Sequence, residues 1–278
     1  MPFAHLLGNF QQKQFLIKIA HTNQVPPVLL FSGPSGIGKV RFAKAFAKML
    51  TKTLEIEDHP DIYFLKPEEK SGQYSLEKIK ELLQEAALPP FSSCCKVFIL
   101  EEAHQMQPYA SNALLKTLEE PHPHTFFILT SSDPSKLIST ILSRCTKLSF
   151  LPIGEQEIAD FLEKQGVSPE DAQKKAFLSE GSLSKALLPS CSVSVKTLFS
   201  TTDYSTLLSY FSQIEKELEE SKSEERVTLF FEEILYFLRE HRPLMLERAL
   251  KEIIYIQDAL HVHVKIKTAL EQLFYIIK

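Results

Sequence analysis

The sequence predicts an α/β fold followed by an all-α region. Up to about Pro152, short apolar runs alternate with helical patterns, which is typical of a mostly parallel sheet covered by helices. Beyond Pro152, strand-like runs are few and amphipathic helical patterns dominate. The composition, with 44% hydrophobic and 24% charged residues among 278, is that of a globular chain of about two domains. It excludes a disordered or collagen-like protein.

Three continuously apolar runs predict strands that are buried on both faces. The runs are VLLF at 28–31, VFIL at 97–100 and FFIL at 126–129. Helices are predicted at 39–50 and 75–87, because apolar residues recur there at helical spacing. Ser75 is the expected N-cap of the second of these helices.

The region after the predicted sheet is expected to be helical throughout. Three short helices come first, near 158–164, from the cap Ser168 with Pro169 at the first helical position, and after Gly181-Ser182. We place a boundary at 189–192, where Pro and Ser cluster. Four longer helices are predicted next, at 204–220, 224–240, 244–260 and 262–277, with Pro243 separating the second from the third.

Charge and hydropathy exclude several classes of protein. The net charge is −4 and no Lys/Arg tract is present, so we expect no strong binding of nucleic acid by this chain alone. No apolar run approaches the ~18 residues of a membrane-spanning helix, and the first 15 residues lack the pattern of a signal peptide. We therefore expect a cytoplasmic protein without a membrane partner.

The cysteines and histidines do not predict a metal site. Cys94, Cys95, Cys145 and Cys191 form neither a CxxC pair nor the paired spacing of a zinc site, so free thiols are expected. The histidines also lack metal-site spacing, and we expect no special role for His59, His104, His122 and His124.

The most specific motif is GPSGIGK at 33–39, which matches G-x-x-x-x-G-K. Gly33, Gly36 and Gly38 would let backbone N–H groups approach a phosphate, and Lys39 would add a point charge. The predicted helix that follows would offer its unpaired N–H donors and the positive end of its dipole. These four residues are candidates for nucleotide binding. The alternative is a Gly-rich turn that joins a strand to a helix.

Two departures from this pattern affect the metal-binding part of the site. Val40 stands where a Ser or Thr hydroxyl would bind Mg²⁺, and valine keeps the shape of threonine without its oxygen. Glu101 and Glu102 follow the predicted strand 97–100, at the sheet edge where α/β proteins hold ligands. Glu101 would reach Mg²⁺, although Asp is usual there, and Glu102 would orient the attacking water. We predict ATP binding with weak Mg²⁺ positioning and slow hydrolysis. Taken singly, either Glu also fits a solvated strand end.

Four segments together resemble the bacterial clamp-loader AAA+ ATPases of DNA polymerase III. They are GPSGIGK, VFILEEAHQM, SNALLKTLEEP and TSSDPSKLISTILSRC. The resemblance follows the first 150 residues almost continuously, whereas the helical tail resembles the collar of that family only weakly. It implies a P-loop AAA+ domain with a parallel sheet at 1–152, a small helical lid domain at 153–189 and a C-terminal helical collar domain for oligomerisation at 190–278.

The resemblance also implies roles for individual residues. Arg144, in the segment Ser143-Arg144-Cys145, would act as an arginine finger in trans on a neighbour's nucleotide, where such a group is worth about 10³ to 10⁵ in rate. Ser132 would be the first sensor, and Lys185, where Arg is usual, the second. For Arg144 the alternative is a local ion pair with an acid near the end of the sheet.

Among the subunits of that family, the chain resembles delta-prime more than the gamma motor. The altered metal positions Val40 and Glu101, the GSLSKA segment and the absence of an extension after one collar-sized region favour this interpretation. The cysteine-rich zinc module of the family is missing from 51–58, so no zinc is expected.

The implied function is that of a stator in a hetero-oligomer, with DNA polymerase activity only by association. The implied partners are the gamma/tau and delta subunits, the sliding clamp and, as part of the assembly, primer-template DNA. An active gamma-like ATPase, another AAA+ motor, and a small-molecule P-loop kinase or transferase remain as alternatives.

Overall fold

The computed structural model describes Phe3 and residues 5–53, 59–68, 71–221, 223–260 and 265–277. The chain divides into two compact units, Met1–Ser184 and Lys185–Lys278. The predicted start of the last helix at 262, and residues 54–58 of the stretch without the zinc module, lie outside the described residues.

The first unit is built on a five-stranded parallel sheet with the strand order β2-β3-β4-β1-β5. The strands are β1 (Val28–Ser32), β2 (Ile62–Leu65), β3 (Lys96–Leu100), β4 (Thr125–Ser131) and β5 (Thr146–Ser149). The three predicted apolar runs are confirmed as β1, β3 and β4, the three central strands. The two edge strands were not predicted, because their side chains alternate between buried and exposed positions or are largely exposed.

Helices cover both faces of this sheet, as predicted. One face packs against α1 (Phe10–His21) and α2 (Lys39–Thr51), and the other packs against α3 (Leu76–Ala86), α4 (Pro108–Glu119) and α5 (Ser139–Leu142). The side chains of β1 alternate accordingly: Leu29 and Phe31 join the first core, and Val28 and Leu30 join the second. Ser75 caps α3 by accepting a hydrogen bond from the backbone N–H of Lys78 at 3.3 Å, as predicted.

Three further helices follow the sheet. They are α6 (Glu155–Lys164), α7 (Pro169–Leu178) and the four-residue α8 (Leu183–Ala186). Ser168 caps α7 through the N–H of Asp171 at 3.2 Å, with Pro169 at the first helical position, as predicted.

The second unit consists of helices. They are α9 (Val195–Ser200), α10 (Tyr204–Ser221), α11 (Glu224–His241), α12 (Pro243–Leu260) and α13 (Ile266–Ile277). The last four correspond to the predicted long helices, and α9 was not predicted. Aromatic side chains fill their core: the rings of Phe199 and Phe237 stack with centroids 4.9 Å apart, and Phe274 packs against Phe199 and Phe211.

No described helix is both long enough and apolar enough to cross a membrane. The four cysteines are free, as expected from their spacing. Burial raises the pKa of Cys145 to about 12, so this thiol remains protonated at neutral pH.

Candidate functional site

The GPSGIGK motif forms the connection between β1 and α2, as the sequence predicts. Its Lys39 is the first residue of α2 and its side chain is almost fully buried. The Lys39 ammonium donates to the carbonyl oxygens of Gly33 and Pro34, at 2.8 and 2.7 Å, and lies 3.6 Å from Oε1 of Glu102. Burial lowers the pKa of Lys39, and the Glu102 carboxylate opposes that effect. In this arrangement the Lys39 ammonium is hydrogen-bonded to its own loop, and binding a phosphate would require it to give up at least one of these carbonyls.

The loop glycines are required by close approaches and by backbone conformation. Gly36 has φ +73°, and a Cβ there would lie 2.0 Å from Oγ of Ser182. The N–H of Ser184 also donates to the carbonyl of Gly36 at 3.2 Å. A Cβ at Gly33 would lie 2.3 Å from the carbonyl oxygen of Phe150. The segment around Ser182 therefore packs directly against the loop.

Val40 follows the loop in α2 and Glu101 follows β3, and these are the two positions where a metal ligand is expected. Val40 is half-buried in the first turn of α2 and offers methyl groups instead of an oxygen. Glu101 directly follows β3, where its N–H donates to the Leu65 carbonyl at 2.9 Å and its own carbonyl accepts from the Tyr74 hydroxyl. Burial, and then the adjacent Glu102 carboxylate, raise the pKa of Glu101.

Glu102 and Ser132 are hydrogen-bonded to each other, although separate roles were expected for them. Oε2 of Glu102 accepts from the N–H and from the hydroxyl of Ser132, at 2.7 and 2.8 Å. Glu102 has φ 46°, an unusual left-handed conformation for a residue with a side chain, and its N–H donates to Oγ1 of Thr130 at 3.0 Å. The carboxylate that would orient an attacking water is thus already engaged.

His104 lies beside the hydrogen-bonded pair of Glu102 and Ser132. The expectation that His104 has no special role did not anticipate this contact. Nδ1 of His104 lies 3.2 Å from Oε2 of Glu102 and 3.2 Å from the hydroxyl of Ser131. The sequence contained a usable signal, since His104 follows Glu102 by two residues at the end of a central strand, and Ser131 ends the neighbouring strand.

The hydrogen bonds of Arg144 involve neither Glu102, Ser132 nor His104. Its Nη1 donates to the Thr140 carbonyl at 2.6 Å and to the Ser143 hydroxyl at 3.2 Å, and its Nη2 donates to the carboxylate of Glu119. The Arg144 side chain is 30% exposed. The local ion pair that was the alternative interpretation of Arg144 is therefore present, and its acid is Glu119, the last residue of α4.

Lys185 lies in the second unit, where its ammonium is 3.0 Å from both carboxylate oxygens of Glu232 on α11. Its proposed role as a second sensor remains a prediction.

The donors around the loop fit a phosphate, whereas few side-chain oxygens are offered to Mg²⁺. A glycine-lined loop, the N-terminus of α2 and a buried ammonium are the groups that bind phosphates. Mg²⁺ at nucleotide sites is held by one or two protein oxygens together with waters and phosphate oxygens. Here Val40 supplies no oxygen and Oε2 of Glu102 is hydrogen-bonded to Ser132, which leaves the Glu101 carboxylate as the candidate ligand. Within the described residues, no group of three or more His, Cys, Asp or Glu side chains is placed to hold a metal ion.

Comparison with known proteins assigns the chain to a family. A family model described as DNA polymerase III, delta subunit, matches residues 8–154, which is more than half of the chain. The chain belongs to this clamp-loader AAA+ family. The matched residues contain the phosphate loop, both glutamates, Ser132 and Arg144.

Curated relatives from the clamp-loader family carry two different subunit names. The chain is 34% identical over 165 residues to "DNA polymerase III subunit delta'" of Bacillus subtilis, which is 54% of this chain and 50% of that protein. It is 31% identical over 207 residues to "DNA polymerase III subunit gamma/tau" of Mycoplasma genitalium, which is 66% of this chain and 34% of that protein. The chain thus spans about a third to a half of the length of these relatives.

Solved structures confirm the fold of the clamp-loader family. A gamma subunit-related protein of DNA polymerase III from Thermotoga maritima has a TM-score of 0.62 over 94% of this chain and 97% of its own, at 15% identity. The RuvB Holliday junction branch migration motor of the same organism has a TM-score of 0.51 over 74% of this chain and 69% of its own, at 17% identity. The predicted fold class, an AAA+ sheet domain followed by helices, is therefore confirmed.

Proposed function

We propose that this chain is a delta-prime-like clamp-loader subunit of DNA polymerase III that binds ATP with weak Mg²⁺ positioning, hydrolyses it slowly and supplies Arg144 to a neighbouring motor subunit. One observation carries the proposal: the groups that cradle a phosphate are present, while the groups that would position Mg²⁺ and water are replaced or engaged. Val40 lacks the ligand oxygen, and Ser132 holds the Glu102 carboxylate.

We expect slow hydrolysis because Glu102 would have to break hydrogen bonds from Ser132 before it could orient a water molecule. To orient water, its Oε2 must leave two hydrogen bonds from Ser132, and hydrogen bonds to a charged group contribute about 1.5–3 kcal/mol each. Burial and the Glu102 carboxylate both raise the pKa of Glu101, which disfavours the ionised form that would bind Mg²⁺. Both effects raise the barrier to hydrolysis within this chain.

Arg144 is the residue we propose to act outside the chain. A guanidinium is always charged and presents planar N–H donors that match a phosphate. Arg144 is partly exposed at the end of α5, so a neighbouring subunit can approach it.

The remaining parts of the proposal concern assembly. We keep the division into an AAA+ domain at 1–152, a lid at 153–189 and a collar at 190–278. The gamma/tau and delta subunits, the sliding clamp and primer-template DNA are the proposed partners, in a cytoplasmic hetero-oligomer. The delta' relative of Bacillus subtilis supports this assignment.

A gamma-like ATPase is the second candidate, because gamma/tau proteins are also among the relatives at 31% identity. ATP turnover by the purified chain separates the two candidates. A rate comparable to that of motor subunits would favour the gamma-like function.

The decisive experiment is DNA-stimulated ATP turnover by a reconstituted clamp loader that contains either this chain or its Arg144→Ala variant at equal assembly. We expect the variant to lower kcat by about tenfold or more, which corresponds to about 1.4 kcal/mol of barrier. Unchanged turnover in an intact complex would contradict the proposed role of Arg144.

A further inference from the structure

Arg144 is not presented freely by this chain, since its own subunit engages it on several sides. Nη1 uses both of its N–H groups, on the Thr140 carbonyl and the Ser143 hydroxyl. Nε is buried and has no hydrogen-bond partner among the described residues. Nη2 donates to Glu119 with one of its two N–H groups, so apart from the buried Nε one N–H of the guanidinium is left for another group. A phosphate can therefore accept two hydrogen bonds from Nη2 only after Nη2 leaves Glu119.

Glu119 is well placed to hold a cation. It ends α4, where the helix dipole is negative, and Glu120 follows it directly. A guanidinium beside Glu119 is stabilised by the carboxylate and by the carbonyl end of the helix. The pair is also easy to break, because Glu119 and Arg144 are 47% and 30% exposed. Exposed ion pairs are weak in water, whereas charge-assisted hydrogen bonds from arginine to a phosphate are strong.

We propose that Glu119 is a latch: it holds Arg144 on its own subunit and competes for the guanidinium with the phosphate of a nucleotide bound to a neighbouring subunit. This inference rests on the proposed function of Arg144 in trans. It adds a regulatory residue, because the neighbour's polyphosphate must displace the Glu119 carboxylate before Arg144 can bind it through two N–H groups. Glu119 acts through Arg144 and touches no nucleotide itself.

The test uses the reconstituted clamp loader, with kcat and KM for ATP measured under DNA stimulation. Glu119→Gln removes the charge and keeps the shape. We expect kcat/KM to rise about two- to fivefold, the range that corresponds to an exposed ion pair. The change should appear mainly as a lower KM. The cost of displacing Glu119 is already present when the nucleotide binds, and it is the same in the transition state.

Glu120→Gln is the matched control. Glu120 is the next carboxylate in the chain and is exposed, and no ion pair of its side chain is present among the described residues. We expect it to leave kcat/KM unchanged. In an Arg144→Ala background, Glu119→Gln should also have no effect, which distinguishes a latch from a general electrostatic or structural change.

The outcomes distinguish the latch at Glu119 from the proposed function of Arg144. If Arg144→Ala lowers kcat but Glu119→Gln leaves kcat/KM unchanged or lowers it, the latch is refuted and the function of Arg144 stands. If Arg144→Ala itself has no effect, the proposed function fails, and the latch fails with it. Thermal melting of the isolated chain checks the fold of each variant, and Glu119→Ala repeats the test with a second side chain if Glu119→Gln melts early.

Discussion

Asp61→Asn tests the interaction that fixes the loop leading into β3, the strand whose other end carries Glu101 and Glu102. Asp61 is fully buried. Its Oδ1 accepts from the N–H of Phe91 at 2.6 Å, and its Oδ2 accepts from the N–H groups of Ser92 and Ser93 at 2.8 and 2.7 Å. In the Asn variant an NH₂ group replaces one of these oxygens and faces N–H donors that it cannot satisfy.

The magnitude follows from the protonation equilibrium of Asp61. Burial by itself would raise the pKa of Asp61, but the hydrogen bonds from Phe91, Ser92 and Ser93 outweigh burial and lower it from 3.8 to about 2. The ionised carboxylate therefore contributes about 2.5 kcal/mol to folding at neutral pH. Because the folded pKa is the lower one, this contribution is complete above the unfolded pKa and is lost as the pH falls from about 4 to about 2.

We expect Asp61→Asn to lower the free energy of unfolding by about 2–4 kcal/mol at neutral pH, with the unsatisfied N–H groups included. Near pH 3 the wild type has itself lost about half of the carboxylate contribution, so the difference should shrink by about 1 kcal/mol. Urea unfolding at both pH values measures this, with Asp160→Asn at an exposed carboxylate of α6 as the control. A loss below about 0.5 kcal/mol at neutral pH, or an equal loss at both pH values, would refute the reasoning.

Three further predictions concern the phosphate loop. Gly36→Ala should destabilise the fold by about 1–3 kcal/mol in thermal melts, because of its positive φ and the Ser182 hydroxyl 2.0 Å from the new Cβ. Gly72→Ala has a similar φ and open space around it, so a smaller loss there isolates the steric part, and equal losses would contradict the close approach. Val40→Thr should raise the affinity for ATP roughly tenfold in the presence of Mg²⁺ and leave it unchanged in EDTA, as measured with a fluorescent ATP analogue. The same change in both conditions would mean that the new hydroxyl binds no metal. Lys39→Ala should lower the affinity for ATP about tenfold or more in the same assay, and an unchanged affinity would show that the Lys39 ammonium does not bind the phosphates.

The central strands and the phosphate loop were predictable because their signals are local. Strands β1, β3 and β4 are apolar over their whole length, since both of their faces are covered. The caps Ser75 and Ser168 act within three residues of their own position, so sequence spacing is enough to find them. Edge strands such as β2 carry a mixed pattern that local periodicity does not distinguish from a loop.

The sequence by itself determined an α/β sheet domain with a phosphate loop, a run of helices after it, and the residues that could carry the chemistry. Only the tertiary structure decided how those residues are engaged: Ser132 holds Glu102, His104 joins them, and Glu119 pairs with Arg144. The physical reason is distance along the chain. Glu102 and Ser132 are 30 residues apart and meet at the carboxyl edge of the parallel sheet, where β3 and β4 end. Glu119 and Arg144 are 25 residues apart and meet at the amino edge, because α4 leads into β4 and Arg144 precedes β5.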